Sequence, residues 1–196
     1  LNGDDIGRYG VHDVRLITAL DGRPLGDTAR QSDNLLRDLG RAVGLMDRAL
    51  EAFDHPALHR AFHWDLATAP AVIAERLPLV RDPDVRRLIE RAIAVYHDTV
   101  APHLPSFRRS AIHGDVNDYN VLVDGRTQRV TGIVDFGDMV VSHTVNEVAI
   151  AMAYAALGKS DPLHAAAQVA AGYHSVHRLT TAEVAALYGL MLMRLA

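Results

Sequence analysis

The chain has 196 residues, of which 49% are apolar and 22% are charged, a composition typical of a globular protein with a hydrophobic core. It contains no cysteine, which excludes disulfides, thiol nucleophiles and cysteine-bound zinc. The formal net charge of −4 argues against nucleic acid as the main partner, because nucleic-acid-binding domains usually carry a basic face.

The sequence shows no pattern of a membrane or export segment. No apolar run approaches the roughly 18–20 residues of a membrane helix. The first ten residues are polar and lack the basic and apolar regions of a signal peptide. We therefore expect a cytoplasmic protein with no membrane partner. Because the chain starts without Met and ends within an apolar helical pattern, we interpret it as part of a longer protein.

The first half of the chain is predicted to be mainly helical. The β-branched stretch from Val14 to Leu20 predicts a strand. A long helix is predicted from Ser32, with either Ser32 or Asp33 as its cap, on the spacing of Leu35, Leu36, Leu39, Val43, Met46 and Leu50. The histidine-containing stretch 53–68 is predicted to be irregular.

Two further helices are predicted before the middle of the chain. A short one covers 71–77. The pair Asp82-Pro83 starts the next, with the aspartate as cap and the proline in the first position, and this helix ends before Pro102 or Pro105.

The second half begins with short strands and ends in helices. Strands are predicted over 110–113, 120–123 and 129–134, with polar residues where they end. The Ala-rich remainder predicts three helices, over 143–158, 161–177 and 181–196.

A group of polar residues follows these strands. His113-Gly114-Asp115 comes after the first strand, Asn120 lies five residues beyond Asp115, and Asp135 follows the third strand. Each carboxylate is therefore predicted at the end of a strand. The loop between Asp115 and Asn120 can curl so that both side chains face one point.

This set of side chains suits phosphoryl transfer from a nucleotide, which requires a positioned acceptor hydroxyl and neutralised phosphate charge. Asp115 can orient the hydroxyl and accept its proton as a general base. Asn120 and Asp135 offer the hard oxygen ligands that Mg²⁺ prefers. The order and spacing of the three residues match the catalytic-loop and metal-binding elements of kinases.

The same residues resemble the aminoglycoside phosphotransferase and choline kinase-like superfamily. Its catalytic loop reads H-G-D-x-x-x-x-N, as residues 113–120 do here, and its metal element reads [IV]-D-[FW], as Val134-Asp135-Phe136 does. The stretches 135–139 (DFGDM) and 146–149 (NEVA) look most like the hydroxylysine kinase branch.

The resemblance implies an α+β, mainly helical fold: a protein-kinase-like C-terminal lobe whose few short strands carry the catalytic and metal loops. It implies that residues 1–25 end the N-terminal lobe and form a hinge strand, and that residues 26–196 form the C-terminal lobe. Within the hinge, Thr18, Ala19 and Leu20 would contact ATP or GTP. The acceptor would be a hydroxyl of a small amine-bearing metabolite, hydroxylysine-like or aminoglycoside-like.

The chain departs from the family in one respect. Family members carry, before the hinge, a nucleotide-binding loop and a lysine that pairs with the phosphates. The one lysine of this sequence, Lys159, follows the catalytic loop, and no glycine-rich strand–turn–strand precedes the hinge. Without an N-terminal lobe, an apolar face can be exposed, so we expect this chain to self-associate.

Several residues near the motif are expected to have supporting roles. From the resemblance, His113 is expected to hold the catalytic loop by hydrogen bonds. Glu147 is expected to fix a loop from the start of a helix, where its charge suits the dipole. Asp138 could bind a second metal or brace its loop. Asp118 and Tyr119 could contact the acceptor or lie at the surface.

Two other functions remain open at this point. One is a non-catalytic kinase-like module that binds a ligand or supports a fused partner. The other is a metallohydrolase built on His113, Asp115, Asp135 and His143. The remaining histidines, including the pair His59 and His63, are expected to be exposed or hydrogen-bonded rather than metal ligands.

Overall fold

The structure is a computed structural model that describes residues 6–15 and 17–196. In these residues the α-helices are α1 (Asp33–Leu50), α2 (Ala69–Arg76), α3 (Pro83–Thr99), α4 (Val145–Ala156), α5 (Pro162–Val176) and α6 (Thr181–Leu195). The strands are β1 (Gly7–Tyr9), β2 (His12–Val14), β3 (Arg23–Pro24), β4 (Arg109–Ile112), β5 (Val121–Asp124), β6 (Arg129–Ile133) and β7 (Val140–His143).

The predicted helix caps are confirmed at the two long helices of the first half. The Ser32 hydroxyl accepts the N–H of Leu35 (3.3 Å) at the start of α1. The Asp82 carboxylate accepts the N–H groups of Asp84 and Val85 (2.8 and 3.2 Å) at the start of α3. Each cap satisfies backbone donors that the helix itself leaves unpaired.

The core lies between α1, α4, α5 and α6. The α1 side chains Leu35, Leu39 and Val43 are fully buried and recur at helical spacing, as predicted. Helix α4 is buried along nearly all of its length, which its run of Ala, Val and Ile permits. Its fixed position matters for the site, because its first turn lies under the catalytic loop.

Helices α1 and α5 cross at two glycines. A methyl group added to Gly40 would overlap the backbone oxygen of Val169, and one added to Gly172 would overlap the backbone oxygen of Arg37. The two backbones can therefore touch only because neither residue has a side chain.

We expect Gly40→Ala to lower the free energy of unfolding by roughly 1–3 kcal/mol, because α1 and α5 must separate to admit the methyl group. Chemical denaturation measures the effect. The control is Gly125→Ala, where the added methyl meets only the Arg23 Nε, at 4.0 Å. Equal stability losses in the two variants would contradict this account of the crossing.

Two small antiparallel sheets position the polar loops. One has the strand order β3–β5–β6, with Val121 opposite Ile133. The other pairs β4 with β7, with Ile112 opposite Val140. The catalytic loop joins β4 to β5, and the metal loop follows β6, so each loop starts from a fixed strand end.

These elements confirm the α+β, mainly helical fold predicted from the sequence. The strands predicted over 110–113, 120–123 and 129–134 correspond to β4, β5 and β6, and the last three helices to α4, α5 and α6. The short helix predicted over 71–77 is α2. The stretch 53–68 contains only single turns of 3₁₀ helix.

The strand predicted over 14–20 is wrong within the described residues. Val14 ends β2, which pairs with β1 in an unpredicted hairpin, while residues 15 and 17–20 are irregular. Leu16 lies outside the described residues. A strand requires a neighbour for its N–H and C=O groups, and the chain next pairs only at β3.

Strand β7 was also missed, because the last predicted helix group begins at His143. Val140 to His143 instead pair with β4, and the helix starts after Thr144. Across residues 6–15 and 17–196, none of the helices combines the length and apolar character required to cross a bilayer.

Candidate active site

The loop between β4 and β5 is held in a tight curl. Gly114 has φ +81°, a left-handed conformation that glycine adopts without steric cost. The Asn117 side-chain oxygen accepts the N–H groups of Tyr119 (2.8 Å) and Asn120 (3.0 Å). This Asx-type turn brings Asn120 back to Asp115, as the spacing predicts.

The Asp115 carboxylate accepts three side-chain donors. Its Oδ2 accepts the amides of Asn117 (2.8 Å) and Asn120 (3.0 Å). Its Oδ1 accepts the Arg194 guanidinium at 2.6 Å. The carboxylate is therefore fixed in orientation, yet 21% of its side-chain surface remains exposed and available to a substrate.

Asp135 lies beside the catalytic loop because the preceding residue, Val134, is hydrogen-bonded to both ends of that loop. The Val134 N–H donates to the backbone oxygen of Asn120 (2.9 Å). The Val134 oxygen accepts the ring Nε2–H of His113 (2.9 Å). The structure thus places the segment that contains Asp135 beside the loop that contains Asp115 and Asn120.

The backbone of Asp135 is strained and its carboxylate is open. The residue has φ 65° and ψ 67°, a left-handed conformation that costs free energy outside glycine. Within residues 6–15 and 17–196, the exposed carboxylate accepts only a long bond from the Gly137 N–H (3.4 Å). The Arg60 guanidinium holds the following turn by donating to the backbone oxygens of Gly137 and Met139 (3.0 and 3.2 Å).

The oxygens at this point fit Mg²⁺. Asn120 donates its amide nitrogen to Asp115, and among the described residues its amide oxygen has no hydrogen-bond partner. With the open Asp135 carboxylate, it supplies two hard oxygens. Such a pair suffices where phosphate oxygens and water complete the octahedral shell.

His113 supports the loop, as expected. It is fully buried, its Nε2 donates to Val134, and its Nδ1 accepts the N–H of Asp115 at 3.3 Å. Burial lowers the pKa of the imidazole, which favours the neutral ring that these bonds require. Because both ring nitrogens are occupied, this geometry disfavours His113 as a metal ligand.

Glu147 fixes the same loop from the first turn of α4. It is fully buried, and its Oε2 accepts the N–H of Gly114 at 3.0 Å. Burial raises the pKa of this carboxyl from 4.5 to about 7, although the Gly114 N–H opposes the shift. The supporting role expected from the sequence is consistent with this geometry.

The raised pKa of Glu147 predicts a pH-dependent stability. The folded state holds the proton more tightly than the unfolded chain, so stability is lost as pH rises from about 4.5 through 7. Glu147→Gln cannot ionise at this position. Relative to that variant, the free energy of unfolding of the wild type should fall by up to about 3 kcal/mol between pH 5 and pH 8. Denaturant unfolding at both pH values measures the difference.

The control for this test is Glu90→Gln at an exposed position of α3. It should leave the pH dependence unchanged. If Glu147→Gln and the wild type kept the same stability difference at pH 5 and pH 8, the raised pKa would be refuted.

Sequence reasoning missed Arg194, which lies on α6, 79 positions after Asp115. Besides its bond to Asp115, it donates to the Tyr154 hydroxyl (3.2 Å), and it lies 5.9 Å from the centre of the Trp64 ring. Its side chain is only 10% exposed. The sequence could have indicated Arg194, because it is the one basic residue of the apolar helix α6 and a buried charge requires a partner.

A cavity of about 590 Å³, which we call the acceptor pocket, lies beside Arg194. Its walls are mainly apolar side chains of α2 and α6, and its polar groups include Asp65, Tyr154 and Arg194. Trp64 adds an aromatic face that is 58% exposed. This volume and lining suit a small polar metabolite.

Several other predicted residues are exposed. Thr18, Ala19 and Leu20 are exposed in the irregular stretch before β3. Tyr119 is 60% exposed, and its hydroxyl donates to Asp27 (3.4 Å). The structure alone assigns no ligand to them.

The fold and the loop geometry agree with the family that the sequence motifs resemble. The chain matches the Phosphotransferase enzyme family (APH) over residues 1–187 and belongs to that family. This confirms the family resemblance found in the motifs.

Hydroxylysine kinases are among the similar proteins. The enzyme from Mus musculus is 35% identical over 192 residues, which cover 92% of this chain and 50% of that protein. The enzyme from Xenopus laevis is 36% identical over 191 residues, which cover 91% of this chain and 50% of that protein. The chain thus spans about half the length of the curated relatives it matches.

Solved structures show the same fold at lower identity. An aminoglycoside phosphotransferase from Alicyclobacillus acidocaldarius has a TM-score of 0.70 at 16% identity, over 96% of this chain and 60% of that one. An amicoumacin kinase in complex with AMP-PNP and Ca²⁺ has a TM-score of 0.66 at 14% identity, over 98% and 59%.

Proposed function

We propose that the protein is a small-molecule kinase that moves the γ-phosphate of a nucleotide to a hydroxyl of a small amine-bearing metabolite. The observation that carries the proposal is the oriented, partly open Asp115 carboxylate beside Asn120 and the strained Asp135. Membership of the phosphotransferase family and the similarity to hydroxylysine kinases support it.

In this mechanism Asp115 binds the acceptor hydroxyl and takes its proton as the oxygen attacks the γ-phosphorus. The bond between the γ-phosphorus and the β,γ-bridging oxygen breaks, and the nucleoside diphosphate leaves. Its bonds to Asn117, Asn120 and Arg194 hold the carboxylate in one orientation, which reduces the entropy lost on reaching the reactive geometry. Asn120 and Asp135 would hold Mg²⁺, which would neutralise charge on the phosphates.

The co-substrate is ATP or GTP, with Thr18, Ala19 and Leu20 proposed as its hinge contacts. Their exposure just before β3 is compatible with that role. Two solved structures with this fold contain nucleotides: the amicoumacin kinase holds AMP-PNP, and a phosphotransferase from Streptomyces rimosus holds ADP and streptomycin.

Hydroxylysine is the preferred acceptor in this proposal. Only one of the Arg194 nitrogens is used by Asp115 and Tyr154, so further N–H donors can bind an acceptor carboxylate. The exposed Trp64 face suits an ammonium group. Hydroxylysine carries both groups, whereas aminoglycosides and choline carry no carboxylate.

The test measures nucleotide-dependent phosphorylation of hydroxylysine, homoserine, choline and an aminoglycoside, with ATP or GTP and Mg²⁺. Because the chain spans half of its relatives' length, both residues 1–196 and the product of the complete reading frame are assayed. Turnover by the complete product supports the proposal. Folded complete product that binds no nucleotide would instead favour a non-catalytic module.

Arg194→Gln should raise the KM for hydroxylysine at least about tenfold, because a charge-assisted hydrogen bond is lost. KM for an aminoglycoside should change less, since it has no carboxylate for Arg194 to bind. Arg194→Lys should recover only part of the effect, because lysine keeps the charge but not the planar fork.

Arg76→Gln is the control, because this exposed residue lines the same pocket but pairs with Glu75 rather than Asp115. If Arg194→Gln raised the KM of both acceptor classes equally, the carboxylate role would be wrong.

Self-association of the chain, a cytoplasmic location and the domain boundary at residue 25 remain predictions.

A further inference from the structure

A second polar groove lies at the far end of the β5–β6 hairpin. The hairpin starts at Asn120 in the active site, and its turn, residues 124–129, forms one wall of the groove. Strand β5 has four residues, so the two ends are separated by on the order of 13 Å. The groove shares no lining residue with the acceptor pocket.

The groove is strongly basic although the whole chain has a formal charge of −4. Its volume is about 1120 Å³, and one acid, Asp38, lies among the lining residues, which include six arginines: Arg23, Arg30, Arg37, Arg41, Arg126 and Arg129. The six arginines and one aspartate give a local charge of +5. Such a concentration of one sign focuses the field and attracts anions.

Most of these arginines are free of internal partners. Arg37 donates to Gln168 and Arg129 pairs with Asp38. In the described part of the chain, the other four guanidinium groups, which are exposed, make no hydrogen bond or ion pair: Arg23, Arg30, Arg41 and Arg126. Their N–H donors are therefore available to a bound anion.

The walls of the groove are fixed to each other. The Ser32 N–H donates to the Gln128 side chain (3.1 Å), which joins the start of α1 to the hairpin turn. Asp38 accepts Arg129 (2.8 Å) and the Val130 N–H (2.9 Å), which makes a second tie. The arginines therefore project from a preorganised frame, which lowers the cost of binding.

The turn itself is held by Asp124. Its carboxylate accepts the N–H groups of Arg126 and Thr127 and the hydroxyl of Thr127. These bonds lower the pKa of the carboxyl, so it stays ionised and committed to the turn. The charge of Arg126 lowers this pKa further, so Asp124 offsets part of the positive charge at the turn.

The lining also indicates the kind of ligand. Protein interfaces concentrate aromatic and apolar side chains at their centre, and single-stranded nucleic acids stack on aromatic rings. Among the described residues, no aromatic side chain lines this groove, and its one apolar type with a side chain is alanine. Guanidinium forks and hydroxyl groups instead match phosphate oxygens, which arginine binds in a bidentate manner.

We propose that this groove binds a compact anion that carries several phosphate groups, at a site separate from the phosphoryl-transfer centre. The ligand class is a small polyphosphorylated molecule, such as inorganic polyphosphate or a metabolite with more than one phosphate. The site stands independently of the proposed kinase function, because it uses none of the residues assigned to it.

The test titrates the protein with inorganic tripolyphosphate by calorimetry, at low ionic strength and without divalent metal. The groove variant combines Arg30→Gln, Arg41→Gln and Arg126→Gln. The control combines Arg81→Gln, Arg91→Gln and Arg178→Gln, which remove the same charge from exposed positions elsewhere. Arg126→Gln alone serves if the triple groove variant fails to fold.

We expect one tripolyphosphate per chain, with affinity reduced at least about tenfold in the groove variant because charge-assisted hydrogen bonds are lost. The control should stay within about twofold, since distant surface charges are screened. Absence of binding to the wild type, or equal losses in both triple variants, would overturn the site. Tighter groove-dependent binding of an oligonucleotide or a polyglutamate peptide would overturn the ligand class.

Discussion

Asp115→Asn is expected to lower kcat for acceptor phosphorylation by about 10²–10⁴, the usual contribution of a positioned general base. The side-chain amide cannot take the acceptor proton. The Asp115 carboxylate accepts hydrogen bonds from Asn117, Asn120 and Arg194. The amide NH₂ group of asparagine is itself a donor, so it cannot accept from all three. At least one of these bonds is lost, so the acceptor is misoriented as well.

The measurement is steady-state kinetics of the complete reading-frame product with its best acceptor, together with thermal unfolding to verify the fold. Nucleotide affinity should be nearly unchanged, since the lost group acts on the acceptor. Asp98→Asn on α3 is the control, because it makes the same chemical change at an exposed position. A kcat within threefold of the wild type would rule out Asp115 as the base, because threefold corresponds to only about 0.6 kcal/mol of activation free energy.

The sequence predicted the elements that depend on local patterns. The caps at Ser32 and Asp82 and the buried α1 stripe follow from residue type and spacing within one helix. The grouping of Asp115 with Asn120 was accessible for the same reason, because a short loop joins them.

What the sequence did not reveal depends on contacts between distant segments. The Arg194 bond to Asp115 requires α6 to pack beside the catalytic loop, and nothing in either segment specifies that meeting. The basic groove is also a product of folding, because its arginines come from β3, the segment before α1, α1 itself and the β5–β6 hairpin. The prediction of a strand over 14–20 was wrong for a related reason, because strand formation depends on a neighbouring strand and not on β-branched residues alone.

Asp135→Asn is expected to lower kcat at least about 100-fold and to raise the Mg²⁺ concentration needed for half-maximal activity by a similar or larger factor. A neutral amide binds Mg²⁺ more weakly than a carboxylate, and Asn120, the other ligand that we propose, already contributes a neutral oxygen. The substitution isolates this effect, because asparagine tolerates the left-handed backbone that Asp135 adopts (φ 65°). Asp135→Ala would add backbone strain and obscure the result.

The Mg²⁺ dependence of turnover distinguishes a lost ligand from a distorted loop. If Asp135 binds the metal, excess Mg²⁺ recovers part of the activity of Asp135→Asn, whereas a distorted loop is not rescued. Asp138→Asn makes the same chemical change three residues later, so it tests the second-metal role directly. A Mg²⁺ dependence that shifts in Asp138→Asn but not in Asp135→Asn would show that the metal-binding assignments are reversed. If Asp135→Asn lost activity without any shift in Mg²⁺ dependence, Asp135 would act through the left-handed turn that Arg60 holds and not through the metal.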